Sequence, residues 1–297
     1  MAQKNAVALG FFDGVHIGHG ALLRTASEAA KLSGLSSVAL TFDTHPAQAL
    51  RGGEPMLLST PEERRELMRR FYGIETVRVL PFDKTLRETP WQVFAEEMLL
   101  GALNAGLLVC GEDFRFGRGA EGTAKLLSAF CAERGIPCRV VPQVCLDGPP
   151  VSSTRIRALL RSGDFNAALR LLGHPFLLCG TVVHGLHNGA RLGFPTANLP
   201  LEARLLPPNG VYAATVEVDG REYLSVTNIG VHPTLGALSA PLAESWLPDF
   251  SGDLYGKPIH LLLHAFLRPE QHFDSTDALI EQVHRDESAV RTFFAER

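Results

Sequence analysis

The sequence predicts an α/β chain, with a doubly wound parallel sheet in its first half and a small antiparallel β-barrel with a terminal helix in its second. Three observations predict it. Short apolar runs alternate with amphipathic helical stretches through the first half, the order that builds a parallel sheet with helices on both faces. After Gly173-His-Pro175 the pattern turns β-rich, and Asp219-Gly220 supplies a hairpin turn between two of the new runs. The length of 297 residues gives each half room for its own core, at roughly 150 residues per domain. The two expected domains are residues 1–174 and 175–297.

In chain order, Ala6–Leu9 is an apolar run that reads as the first strand, followed by a helix over 21–32 and a strand over 37–42. Thr60-Pro61-Glu62-Glu63 is a capped helix start with proline in the first turn, running to about residue 71. Strands are expected over 76–80, 107–110 and 138–144, and helices over 91–103 and 123–134. Two short helices, 152–161 and 165–172, end the first half. In the second half strands are expected over 178–184, 211–218, 222–227 and 259–266, and one helix over 276–294 closes the chain.

Composition narrows the function. Hydrophobic residues are 45% and charged residues 20%, which excludes bulk disorder. A net charge of −4 argues against a dedicated nucleic-acid binder. No apolar stretch reaches the length of about 18 residues that a membrane span needs, and the first residues read as a strand rather than a signal peptide. Five cysteines without a C-x-x-C pair fit reduced thiols better than a disulfide framework or a zinc site. These features together point to the cytoplasm and leave room for small anionic substrates; a monomer or weak homo-oligomer is the expectation, which composition does not decide.

Gly10-Phe11-Phe-Asp13-Gly14-Val-His16-Ile-Gly18-His19 follows the first strand and opens the first helix. A doubly wound sheet binds anions there, outside the carboxyl end of a strand and at a helix N-terminus. His16 and His19 share one helical face and can donate to phosphate oxygens. Ser152-Ser153-Thr154-Arg155-Ile-Arg157 stands at another helix start, where hydroxyls, backbone N–H groups and a forked guanidinium suit phosphate. Gly117-Arg-Gly119-Ala-Glu-Gly122 matches G-x-G-x-x-G, but six residues separate it from the strand ending near Cys110, so it is no dinucleotide fingerprint. There is no P-loop and no nucleophile elbow. In the second half a glycine-rich stretch from Gly185 through Gly193 leads into Phe194-Pro195-Thr196-Ala-Asn198, where glycine backbone can wrap phosphates and Thr196 and Asn198 can hold Mg²⁺.

With Thr41-Phe-Asp-Thr-His45-Pro46 and Gly111-Glu-Asp113-Phe114-Arg-Phe-Gly117 added, the first half resembles the adenylyltransferase module of prokaryotic FAD synthetases, a nucleotidylyltransferase. Pro208-Asn-Gly210-Val-Tyr212, Asn228-Ile-Gly230, Glu244-Ser-Trp246, Asp249-Phe-Ser-Gly252-Asp253-Leu-Tyr255-Gly-Lys257 and Leu267-Arg268-Pro make the second half similar to riboflavin kinases. In this order the halves resemble the bacterial bifunctional family. The resemblance implies ATP-dependent phosphorylation of riboflavin to FMN, then adenylylation of FMN to FAD. It implies Gly10, Phe11, Asp13, Gly14, His16, His19, Ser153, Thr154 and Arg157 around the ATP of the adenylyl step. His45, Pro46, Gly111, Asp113 and Phe114 would receive FMN. In the kinase half it implies Gly185, Gly193, Pro195, Thr196 and Asn198 around ATP and Mg²⁺, Glu244 as general base, and Arg268 at the flavin. The sequence departs from the family at Ala190, where an arginine is common, and in residues 236–242, which lack a basic residue. Two rivals remain on the residues alone: a nucleotidylyltransferase for another phosphorylated substrate, and a flavin-binding carrier without activity.

Overall fold

The computed structural model describes residues 3–45, 56–185, 193–201, 204–232 and 240–296. Pro46, Ala190 and most of the stretch 236–242 lie outside them. The chain forms two compact units, Met1–Arg155 and Ile156–Arg297.

The first unit is built on five parallel strands in the order β3-β2-β1-β4-β7: β1 (Asn5–Leu9), β2 (Ser36–Phe42), β3 (Thr76–Leu80), β4 (Ala105–Gly111) and β7 (Cys138–Val141). The helices between them are α1 (Ile17–Ser33), α2 (Pro61–Tyr72), α3 (Lys84–Glu88), α4 (Trp91–Val93) and α5 (Ala124–Ala132); β5 (Arg115–Phe116) and β6 (Gly122–Thr123) form a small ribbon of their own. Strands buried on both faces read as continuous apolar runs, and the core shows why: Val7, Leu9, Val38, Leu40 and Leu108 meet Leu99 and Leu127 from the helices. Each such side chain contributes roughly 1.5–3 kcal/mol by leaving water.

The expected helix over 91–103 is present, but Phe94–Ala102 winds wider, as a π-helix, and Leu103 N–H reaches the Met98 carbonyl at 2.9 Å. The capped start of α2 is as expected. Thr60 Oγ1 accepts from Glu63 N–H at 3.2 Å, while Glu63 Oε2 accepts from Thr60 N–H at 2.9 Å.

The second unit continues from α6 (Ser153–Arg161), whose first residues belong to the first unit, through α7 (Phe165–Leu172) into six antiparallel strands. These are β8 (Phe176–Thr181), β9 (Thr196–Pro200), β10 (Gly210–Val218), β11 (Arg221–His232), β12 (Ala240–Trp246) and β13 (Pro258–Arg268), in the order β8-β13-β10-β11-β12-β9, and α8 (Thr276–Ala295) follows. The sheet curls until Val183, just past β8, bridges to Asn198 on β9. The hairpin falls at Asp219-Gly220, both at positive φ (50° and 74°), as a two-residue turn requires. The sequence reading lacked β9 and β12. Both are short, and Thr196–Pro200 carries a proline and a polar pair instead of an apolar run.

Arg268, at the end of β13, is forked onto Asp286 of α8: Nε donates to Oδ1 at 2.9 Å and Nη2 to Oδ2 at 2.7 Å. Neither side chain is more than 16% exposed. Replacing Asp286 by alanine strands the guanidinium, and denaturant unfolding is expected to register a loss of about 3 kcal/mol in this unit.

Candidate active sites

The strand order of the first unit reverses between β1 and β4, which creates a crevice outside their carboxyl ends. Ala8 lies opposite Val109, so the turns beginning at Gly10 and Gly111 leave the sheet at the same edge. The first turn runs into α1. His16 is the N-cap of that helix, and its Nδ1 accepts from His19 N–H at 3.3 Å. A ring nitrogen that accepts carries no proton, so the neutral His16 imidazole has its N–H at Nε2. The His16 and His19 rings stack, with centroids 3.6 Å apart and planes 16° from parallel. His16 is buried, and His19 is partly exposed with a buried Nδ1 that has no hydrogen-bond partner. Burial foremost, then the neighbouring His16 and Arg64, holds the His19 pKa well below the usual imidazole value. His19 is therefore a neutral hydrogen-bonding group at the positive end of a helix.

Ser153, 140 residues further along, comes to the same place: its Oγ donates to the Asp13 carbonyl at 3.0 Å. Thr154 is exposed and Arg157 buried on the helix that starts there. Gly18 is fixed by close approach. A Cβ on it would lie 3.1 Å from the His16 ring and 3.6 Å from the Val151 carbonyl. Gly18→Val is expected to push the His16 ring out of its stack, and a reaction that uses that ring should slow about tenfold or more, while one at the second unit's site is unchanged.

Asp13 does different work from what its place in the motif suggests. Its buried Oδ1 accepts from Leu58 N–H (2.9 Å), Ser59 N–H (3.1 Å) and Ser59 Oγ (3.3 Å), so its carboxylate is committed to the chain segment before α2. Phe11 lies between two partners, the edge of the His45 ring (4.6 Å) and the Arg64 guanidinium (4.4 Å). After β4, Phe114 N–H closes a turn on the Gly111 carbonyl (3.1 Å), Asp113 accepts from Gln143 Nε2 (3.4 Å), and Phe114 stacks on Phe116 at 5.3 Å. Phe116 packs in turn on Phe94 (5.8 Å), which lines a cavity of about 410 Å³ with Leu80, Leu86 and Met98. Among the described residues, none of those assigned to FMN from sequence (His45, Gly111, Asp113, Phe114) lines that cavity.

In the second unit, strand register assembles the site. Glu244 on β12 lies opposite Asn198 on β9 and opposite Asn228 on β11, so three adjacent strands form the row Asn198–Glu244–Asn228. Partners directly across a ladder share a face. The next row, Ala197–Ser245–Thr227, faces the barrel interior, where Thr227 Oγ1 and Ser245 Oγ hydrogen-bond at 2.9 Å with no exposure. The alternation of strand side chains thus puts Glu244 on the opposite face, half-buried. Asn198 is buried. Its Nδ2 donates to the Thr196 carbonyl at 3.3 Å, and its Oδ1 has no partner among the described residues. Gly185 closes on it so tightly that a Cβ would sit 2.5 Å from Asn198 Nδ2. Gly193 takes a left-handed φ of 89°, and Pro195 is exposed.

Sequence reasoning missed two charged residues. Glu270 Oε1 accepts from Asn228 Nδ2 at 3.1 Å, which adds a second carboxylate beside the Glu244 row. Arg64 lies behind the His16 turn; its signal was a cation on the same helical stripe as the buried Leu67 and Met68.

Comparisons with known proteins agree with this division. A family model described as FAD synthetase matches residues 1–155, and one described as riboflavin kinase matches residues 172–294. The chain is 34% identical over 295 residues to a bifunctional riboflavin kinase/FMN adenylyltransferase of Listeria monocytogenes, covering 98% of this chain and 93% of that protein. To the protein of the same name from Escherichia coli it is 37% identical over 290 residues, covering 97% and 92%. A crystal structure named as a macrolide-efflux protein from Streptococcus pneumoniae superposes with a TM-score of 0.81 at 32% identity, covering 98% of this chain and 95% of that one. That name belongs to the streptococcal protein; among the described residues here, no helix is long and apolar enough to cross a membrane.

Proposed function

Because the chain belongs to the bifunctional riboflavin kinase/FMN adenylyltransferase family, we propose that its two reactions divide between residues 1–174 and 175–297 and use the side chains gathered above. The chain phosphorylates riboflavin to FMN with ATP and adenylylates FMN to FAD with release of pyrophosphate. What remains is which atoms do this.

In the adenylyl step the attacking group is the FMN phosphate, already an anion, so no base is needed. Catalysis reduces to alignment and to stabilising charge on the α-phosphate and the leaving pyrophosphate. The observation that carries the reading is the stacked His16–His19 pair at the N-terminus of α1, at the point where the strand order reverses. Ser153 and Thr154 add hydroxyls at a second helix start, and Arg157 adds a guanidinium. His45, Asp113 and Phe114 frame the FMN side, and the stack of Phe114 on Phe116 supports an aromatic seat for the flavin there.

In the kinase step the ribityl 5′-hydroxyl must lose its proton as it attacks the γ-phosphate. Glu244 is the base of this reading, and its row with Asn198 supports it. Asn198 Oδ1 is buried without a partner and Thr196 precedes it on β9, an oxygen donor set that fits Mg²⁺. When bound, the ion would neutralise charge on the transferring phosphoryl group. Arg268, held by Asp286, fixes the corner where β13 meets the loop to α8 and so orders the flavin end. The same reading places the chain in the cytoplasm as a monomer or weak homo-oligomer that takes no nucleic acid.

The test is direct. Purified chain given riboflavin, ATP and Mg²⁺ should yield FMN and then FAD on chromatography. Riboflavin bound but unchanged would mark a carrier instead.

A further inference from the structure

Arg64 is wholly buried, and a guanidinium in a protein interior needs partners to be tolerated. Its Nη1 donates to the Phe11 carbonyl at 2.8 Å and to Thr41 Oγ1 at 2.9 Å, while the Thr41 hydroxyl donates to that same carbonyl at 2.7 Å. The guanidinium lies over the Phe11 ring. Its Nε and Nη2 are buried with no hydrogen-bond partner among the described residues. Burial lowers its pKa to about 10, while the Asp13 and Asp43 carboxylates pull the other way; it is charged at neutral pH.

The backbone it grips is strained. Phe12 and Val15 take left-handed φ values of 59° and 45°, and Val15 is β-branched. Such residues cost about 1–3 kcal/mol each and persist only where the surroundings over-determine them. The segment leading into α2 does that from one side, through Ser59 and Leu58 on Asp13 and through Ser59 Oγ, which accepts from Gly14 N–H at 2.8 Å. Arg64, one turn into the same helix, adds to it on the carbonyl just before the strained run. Two buried donors left unpaired form an expensive arrangement for stability alone.

We infer that Arg64 is a positioning residue for adenylyl transfer: through the Phe11 carbonyl and the Thr41 hydroxyl it fixes the strained turn from which His16 and His19 project. The inference rests on the reading of that turn as the adenylyl site. A second consequence follows from its charge. The ionisable groups acting on His19 are His16, on its own turn, and Arg64, from α2; Asp13 and Asp43 act in turn on Arg64. Removing the cation removes one of the causes that hold His19 unprotonated.

The test uses the full chain with Arg64→Gln, Arg64→Lys and His16→Ala, with riboflavin phosphorylation as the internal control. Arg64→Gln is expected to lower kcat for FMN adenylylation about 10²-fold, the scale of a 1 Å misplacement, with little change in KM for ATP or FMN. The His19 ring titration, followed by NMR and assigned by its absence in His19→Gln, should move up. Arg64→Lys keeps the charge but cannot fork or stack as a guanidinium does. It should leave the His19 titration low and lower kcat about tenfold. A wild-type kcat in either variant, or an unmoved His19 titration in Arg64→Gln, overturns the inference. If Arg64→Gln loses the melting transition of the first unit, Arg64→Lys decides by its kcat. Wild-type FAD formation in His16→Ala would instead overturn the reading of the turn, which separates the two failures.

Discussion

Replacing His16 by alanine is expected to abolish FAD formation while FMN formation continues. His16 performs two tasks that the substitution removes together: its Nδ1 caps α1, and its imidazole stacks on His19 at the mouth of the crevice. Loss of the cap costs about 1 kcal/mol of stability, too little to unfold a domain. Loss of one donor aimed at developing charge costs about 10²–10³-fold in rate, and the unstacked His19 adds to it. His16→Asn separates the two tasks, since asparagine is a good N-cap. It should recover the stability and not the rate. Supplied riboflavin should still appear as FMN at the wild-type rate in both variants, because Glu244, Thr196 and Asn198 lie in the other unit.

Replacing Glu244 by glutamine should do the reverse. Glutamine keeps the shape of the side chain at the centre of the Asn198–Glu244–Asn228 row and removes the basic oxygen. General-base catalysis is worth about 10²–10⁴-fold, so FMN formation should fall by that factor, while FMN supplied from outside is adenylylated normally. The substitution lies on the half-buried face of β12, away from the hydroxyl pair inside the barrel, and should leave the melting temperature nearly unchanged. A smaller loss, below about fivefold, would shift the base role away from Glu244, and Glu270 beside Asn228 would be next to test.

The chain shows its parallel sheet plainly because the central strands are apolar runs flanked by helical periodicity. The capped start at Thr60 was equally legible, since capping chemistry is local. The barrel was harder. β9 and β12 are defined by pairing with each other and with β11, so their evidence lies in distant residues. The π winding after Trp91 leaves no sequence signature, because apolar residues at helical spacing suit both windings. Among candidate site residues, His16, His19 and Ser153 come from motifs that follow a strand or open a helix, and the structure brings them together around one turn. Asp13 was read as facing a nucleotide, but its carboxylate holds Leu58 and Ser59, a contact 45 residues away that no local pattern announces. Arg64 escaped for a related reason: a charged residue on the second helix looks like part of a solvated face until its burial is known.

In this reading two independent pockets act in succession on riboflavin. Mixing the two variants tests it most directly. His16→Ala given riboflavin and ATP should accumulate FMN, and Glu244→Gln alone should accumulate neither product. An equimolar mixture should carry riboflavin through to FAD. A mixture of the two folded variants that yields no FAD, under conditions where the wild-type chain does, would contradict it.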